Sequence, residues 1–286
     1  MIRVITKPSC PPEIDINLDR QPSIYLDNDS LIELAKPGAR RTRFLKAFEQ
    51  KGTLLFSSAN SFDLAGPQGG TIDRVEEFLD ALGPYWIPLE YNPYTVMDRE
   101  DGKVSFDGTP CISRGLTEAY FQARMKETKG VVPLDENLFR LGRIARWMQH
   151  DREDTLAGNE EIKAAVSRKV ARYREEYVKD PGNFDIRYPI QLFDKARPAG
   201  FVLRELMRII AKQAKSHTWM PNDGMDFVHA VVSAAYSDFV LLDRQWAERV
   251  RALPLPPNHT RVYYRYEIDQ FLAAFEQCVI VPPNVD

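Results

Sequence analysis

The sequence predicts an α/β protein, a three-layer α/β/α sandwich with a mostly parallel central sheet and a helical insertion. Three observations predict it. Short runs of strand-forming residues (SIYL at 23–26, TLLF at 53–56, FVLL at 239–242) are each followed by helical patterning instead of a hairpin turn, the order of parallel strands joined by crossovers. These runs are apolar throughout and do not alternate, as expected of strands covered on both faces. Finally, residues 111–215 hold only long helical patterns, dividing the α/β pattern into 22–110 and 216–286.

Residues 1–21 are proline-rich and predict an extended arm with one short strand, IRVI. The first strong element, Ser23–Leu26, ends at the acidic tripeptide Asp27-Asn28-Asp29. A helix follows in SLIELAK until Pro37-Gly38 stops it, since proline cannot supply an interior amide. RRTRFLKAFEQ gives a second helix, closed by Lys51-Gly52 before the second strand. The small polar residues of Ser57–Asp63 suit a helix start, TIDRVEEFLDALG is amphipathic, and WIPLEY reads as a third strand. Residues 92–111, rich in Asp, Gly and Pro, predict a loop. Beyond the insertion, 225–236 reads as a helix, FVLL as a strand ending at Asp243, RQWAERVRAL as a helix, RVYY as a last strand and EIDQFLAAFEQ as a last helix.

With 286 residues, 44% of them hydrophobic, the chain can bury a core without disulfides. Its three cysteines, Cys10, Cys111 and Cys278, are too scattered for a disulfide framework, a zinc finger or a redox pair. There is no signal-like N-terminus and no apolar stretch approaching the roughly 18 residues of a membrane span. A cytoplasmic protein without membrane contact is the expectation. A net charge of −3 argues against a surface coated with base, though a local basic face is compatible with it.

Acids stand where ligands gather in open parallel sheets, at the carboxyl ends of strands. Asp27 follows the first strand, Asp63 lies just after the second, Asp243 follows FVLL, and Asp226 opens the helix leading into FVLL. Two like charges about 4 Å apart repel by roughly 4 kcal/mol at an effective dielectric near 20. Four on one rim call for a cation, and oxygen donors without histidine or cysteine spacing favour Mg²⁺ or Mn²⁺ over zinc.

The segment Asp226-Phe227-Val228-His229 through Asp238-Phe239-Val240-Leu241-Leu242-Asp243 resembles the C-terminal signature of PIN-domain nucleases: an acid opening a helix, a His three residues on, small residues along the helix, and a final acid after a hydrophobic strand. IYLDNDSLIEL is similar to the family's first strand, with Asp27 at the first-acid position. LLFSSANSFDLAG resembles its second block, with Asp63 where Glu is usual. The resemblance covers about half the chain and implies metal-dependent cleavage of phosphodiester bonds, most often in RNA. Mg²⁺ or Mn²⁺ held by Asp27, Asp226 and Asp243, assisted by Asp63, would activate water and stabilise phosphate oxygens. Asp29, Asp223, His229 and Ser57 are candidates for the supporting layer, each with an ordinary alternative as a cap, turn or packed residue.

Arg140, Arg143, Arg168 and Arg172 recur at helical spacing in the insertion and are the candidate nucleic-acid contacts; a solvated helix face is the plainer account of them. A homo-oligomer or a regulatory protein partner is compatible with the insertion.

Two other classes remain open on the sequence. Leu26-Asp27-Asn28-Asp29 also resembles the first motif of haloacid-dehalogenase-like phosphatases, with Asp27 as nucleophile and Asp29 as general acid. Alternatively, the Asp at position 63 marks a catalytically inactive PIN-like scaffold that only binds nucleic acid.

Overall fold

The computed structural model describes residues 2–5, 13–16, 21–64, 66, 69–106, 108–115, 117–118, 122, 141–143, 146 and 152–278. At the N-terminus, β1 (Ile2–Ile5) and β2 (Glu13–Ile16) pair antiparallel, Ile2 opposite Ile16 and Ile5 opposite Glu13. The expected arm with one strand is thus a two-stranded ribbon. The second strand, EIDI, escapes a reading by pattern because a charged four-residue run carries little strand signal until its partner is known.

The main sheet has five parallel strands, β3 (Ser23–Leu26), β4 (Thr53–Ser57), β5 (Trp86–Leu89), β6 (Phe239–Leu242) and β7 (Arg261–Tyr264), in the order β5-β4-β3-β6-β7. From β3 the chain steps outward to β4 and β5, then returns to the other side of β3 with β6. The reversal falls between β3 and β6, where the connections leave in opposite directions and open a crevice.

Helices cover both faces. Side chains of a strand alternate between faces, so Ile24 and Leu26 join one buried cluster while Tyr25 joins the other. The first face packs against α1 (Asn28–Ala35), α2 (Ala39–Gln50) and α4 (Gly70–Ala81), which follows α3 (Ser58–Leu64), and against the last helix, α11 (Ile268–Gln277). The second packs against α5 (Pro93–Glu100), α6 (Arg152–Lys179), α8 (Pro198–Lys212), α9 (Asp223–Tyr236) and α10 (Arg244–Arg251); α7 (Pro181–Arg187) links α6 to α8. Burying one large aliphatic or aromatic side chain contributes about 1.5–3 kcal/mol, and each cluster holds many.

One expectation changes here. The loop expected over 92–111 contains α5: Asn92 caps it, accepting from the Tyr94 amide at 3.0 Å, and Pro93 takes the first position, where its missing N–H costs nothing. The insertion expected over 111–215 supplies a layer of the core. Val166 and Val170 of α6 and Val202, Leu206 and Ile210 of α8 share a cluster with Tyr25, Leu55 and Val240 of the sheet. The helices expected at 117–128 and 136–151 fall largely outside the described residues, as does Arg140. Among the described residues no helix is long and apolar enough to cross a membrane.

Candidate active site

Asp27 and Asp243 occupy equivalent places on neighbouring strands. Each directly follows a buried strand and caps the next helix: Asp27 Oδ1 accepts from the Ser30 amide at 2.8 Å, and Asp243 Oδ1 from the Trp246 amide at 2.9 Å. Their backbones are nearly superposable, φ −67° and ψ 170° against φ −62° and ψ 162°. The Asp27 amide donates to the Leu241 carbonyl at 2.9 Å, which sets the two acids side by side at the crevice. A cap uses one carboxylate oxygen of two, so capping and presenting an oxygen to the crevice are compatible roles.

Asp226 lies in the first turn of α9 and Asp63 in α3. Both line the same cleft as Asp27 and Asp243, a space of about 260 Å³ that Asp29, His229 and Trp246 also border. Burial pushes the Asp27 carboxyl up to about 7, against the pull of the Ser30 amide. Burial, reinforced by repulsion from Asp243, lifts Asp226 to about 7 as well, and burial raises Asp243. For Asp27 and Asp226 alike the leading cause is desolvation, which disfavours the charged form.

His229 spans the cleft floor. Its Nε2 lies 3.0 Å from Asp63 Oδ2, and its Nδ1 is hydrogen-bonded to the buried Tyr25 hydroxyl. Burial lowers its pKa, but the Asp63 hydrogen bond with the charges of Asp63, Asp226 and Asp27 outweighs that, and the net shift is upward. The Tyr25 hydroxyl reaches Ser57 Oγ at 3.4 Å, and Ser57 Oγ donates to Asn60 Oδ1 at 2.9 Å. Asn60 in turn donates to the Leu26 carbonyl at 2.9 Å, fixing the end of β3, and so the Asp27 cap, against α3.

Of the other expected residues, Ser57 is buried behind the cleft in this network. Asp223 is buried and committed, Oδ2 accepting from the Met220 amide at 2.7 Å and lying 3.2 Å from His217 Nε2. Asp29 lies on the rim with its side chain 69% exposed, 3.9 Å from Arg265. Arg143, Arg168 and Arg172 are exposed and do not line the cleft; Arg172 lies 3.8 Å from Glu176. Tyr25, Trp246 and Arg249 carry no functional signal in the sequence pattern that would single them out. Tyr25 and Trp246 read there as core side chains, which they also are, and only Asn60, three residues from Ser57, has a local signal as a capping type.

The carboxylate donors suit a hard dication in kind. Among the described residues, however, no group of three His, Cys, Asp or Glu side chains stands close enough as placed to hold a metal ion; the acids surround the cleft without converging on a point. No protein-family model, curated protein or solved structure matches this chain.

Proposed function

We propose that this protein is a metal-dependent phosphodiester hydrolase of the PIN-like kind, a nuclease whose substrate is RNA. The observation that carries the reading is the matched pair Asp27 and Asp243, each capping the helix that follows its strand, on either side of the strand-order reversal, with Asp226 and Asp63 in the same cleft. Asp27, Asp226 and Asp243 would hold Mg²⁺ or Mn²⁺, which when bound would supply a water acidic enough to attack at neutral pH and a positive charge for the phosphate oxygens. His229 holds Asp63 through Nε2, so Asp63 is oriented from behind and its shorter reach is directed by the imidazole. The exposed arginines of α6, Arg168 and Arg172, would grip the backbone of a bound strand.

A phosphatase with Asp27 as nucleophile would need Asp29 as a general acid within hydrogen-bond reach of the leaving group; Asp29 borders the same cleft, its carboxylate largely exposed and 3.9 Å from Arg265. The test is incubation of the purified protein with RNA and DNA oligonucleotides in Mn²⁺, in Mg²⁺ and in chelator. Metal-dependent cleavage lost in Asp27→Asn, Asp226→Asn and Asp243→Asn supports the reading. Cleavage at wild-type rate in all three sinks it, binding without cleavage favours the inactive scaffold, and a beryllofluoride adduct on Asp27 favours the phosphatase.

A further inference from the structure

Arg249, on α10 below Trp246, is 3% exposed. Its Nε donates to Gln213 Oε1 at 3.1 Å, and its guanidinium carbon lies 4.5 Å from the centre of the Trp246 ring. Nη1 and Nη2 have no hydrogen-bond partner among the described residues, nor does Trp246 Nε1. No carboxylate among the described residues comes within ion-pair distance of it. An arginine stays charged at any physiological pH, and a lone buried guanidinium is costly unless a field of opposite sign offsets its desolvation.

That field comes first from Asp223, buried beside the cleft without lining it, and then from the cleft acid Asp243. Burial lowers the Arg249 pKa, while Asp223, Asp243 and Asp226 draw it back up, and Arg249 in turn draws Asp243 down. The nearby half-buried Arg174, whose charge lowers the Arg249 pKa further, is turned to the carbonyls of Ile210, Gln213 and His217. Trp246 lines the cleft on one side and stacks on Arg249, so the guanidinium sits directly behind the cleft wall.

We propose that Arg249 is the internal counter-charge of the acids behind and along the cleft, a positioning residue that offsets Asp223 and Asp243 when no dication is bound and sets how tightly the cleft takes one. The second half rests on the divalent-cation reading above; the first does not. The Gln213 hydrogen bond and the Trp246 ring fix the guanidinium, so it cannot withdraw when a cation enters, and its charge opposes the newcomer. Loss of a merely structural residue would loosen the site and weaken cation binding. Loss of a counter-charge does the reverse.

The experiment compares Arg249→Met, which removes the charge, with Arg249→Lys, which keeps it. Free Mn²⁺ is followed by electron paramagnetic resonance during titration. Arg249→Met is expected to bind Mn²⁺ about tenfold more tightly than wild type, the effect of one unit charge on a dication several ångströms away in a partly wet interior; Arg249→Lys stays within about twofold. In chelator, Asp243→Asn is expected to raise the melting temperature by at least about 3 °C more in the Arg249→Met background than in wild type, because in wild type it also strips Arg249 of a counter-ion. Unchanged or weaker Mn²⁺ binding in Arg249→Met overturns the affinity role, and additive melting shifts overturn the counter-charge itself. Absence of Mn²⁺ binding in every variant, with the melting shifts non-additive, upholds the counter-charge and sinks the cation reading instead. Should Arg249→Met fail to fold, Arg249→Gln carries the same comparison.

Discussion

His229 Nε2 and Asp63 Oδ2 lie 3.0 Å apart, joining α9 to α3 across the cleft although 166 positions separate them in the chain. With Nδ1 on Tyr25, the imidazole is held at both nitrogens. Tyr25→Phe is expected to cost about 1 kcal/mol, one buried hydrogen bond, and His229→Ala about 2–4 kcal/mol, because it empties a packed site and strands the phenol. Urea midpoints with an unchanged m-value check this; a loss below about 0.5 kcal/mol in His229→Ala would mean that the network holds nothing together.

The two caps give a sharper separation. Asparagine caps as well as aspartate does, whereas alanine loses about 1 kcal/mol. Asp27→Asn and Asp243→Asn should therefore melt at or above the wild-type temperature in chelator while losing at least about 100-fold in metal-dependent cleavage. Asp27→Ala should lose both stability and activity. A variant that is destabilised by Asn as much as by Ala would show that the charge itself, not the cap, maintains the fold.

Protonation couples to stability with a definite sign. Asp27 and Asp226 rise to about 7 on folding, from ordinary unfolded values near 3.9. Between about pH 4 and 7 the folded state therefore binds more protons than the unfolded one, and stability falls as pH rises through that window, levelling above it. The raised pKa of His229 acts in the same direction, its contribution being lost as pH rises through the folded value. In chelator the urea midpoint should fall from pH 5 to pH 8, and Mn²⁺ should remove much of the fall because a dication replaces the protons. A midpoint that climbs over this range in chelator would contradict the crowded-acid account.

Gly224 opens α9 between Asp223 and Asp226. A Cβ there would lie 3.0 Å from Lys163 Cα and 3.1 Å from the Lys163 carbonyl oxygen, so glycine lets α6 rest on the start of α9. Ala is the better helix former by about 1 kcal/mol, and simple propensity would make Gly224→Ala stabilising. The close approach predicts a net loss of about 1–3 kcal/mol, readable as a lower melting temperature.

Charge reversal at Arg168 and Arg172 should weaken oligonucleotide binding in chelator. It should also reduce the slope of log K against log salt by roughly 0.7–0.9 for each phosphate that the protein no longer neutralises. An unchanged slope would return both to a solvated helix face.

The features legible in the chain before it folds are local. Unbroken apolar runs, strand-terminal acids and helix stop signals lie within a few residues of one another, so all five strands of the main sheet and the residues Asp27, Asp63, Asp226 and Asp243 could be read directly. An Asn-Pro pair at 92–93 was equally local, but it signals turn and helix start alike, and only packing of Val96 into the second core decided for α5. Tertiary structure decided everything that depends on distance along the chain: the pairing of β1 with β2, the seating of α6 and α8 as a core layer, and the reach of His229 to Asp63. It also decided the burial of Arg249 behind Trp246. An arginine in RQWAERVR reads as surface in any pattern of hydrophobicity, since the period of a helix gives the face a residue occupies and not which charges lie beyond that face. The acids were visible one by one; their shared desolvation, and the cation set behind them, exist only once the sheet has brought β3 and β6 together.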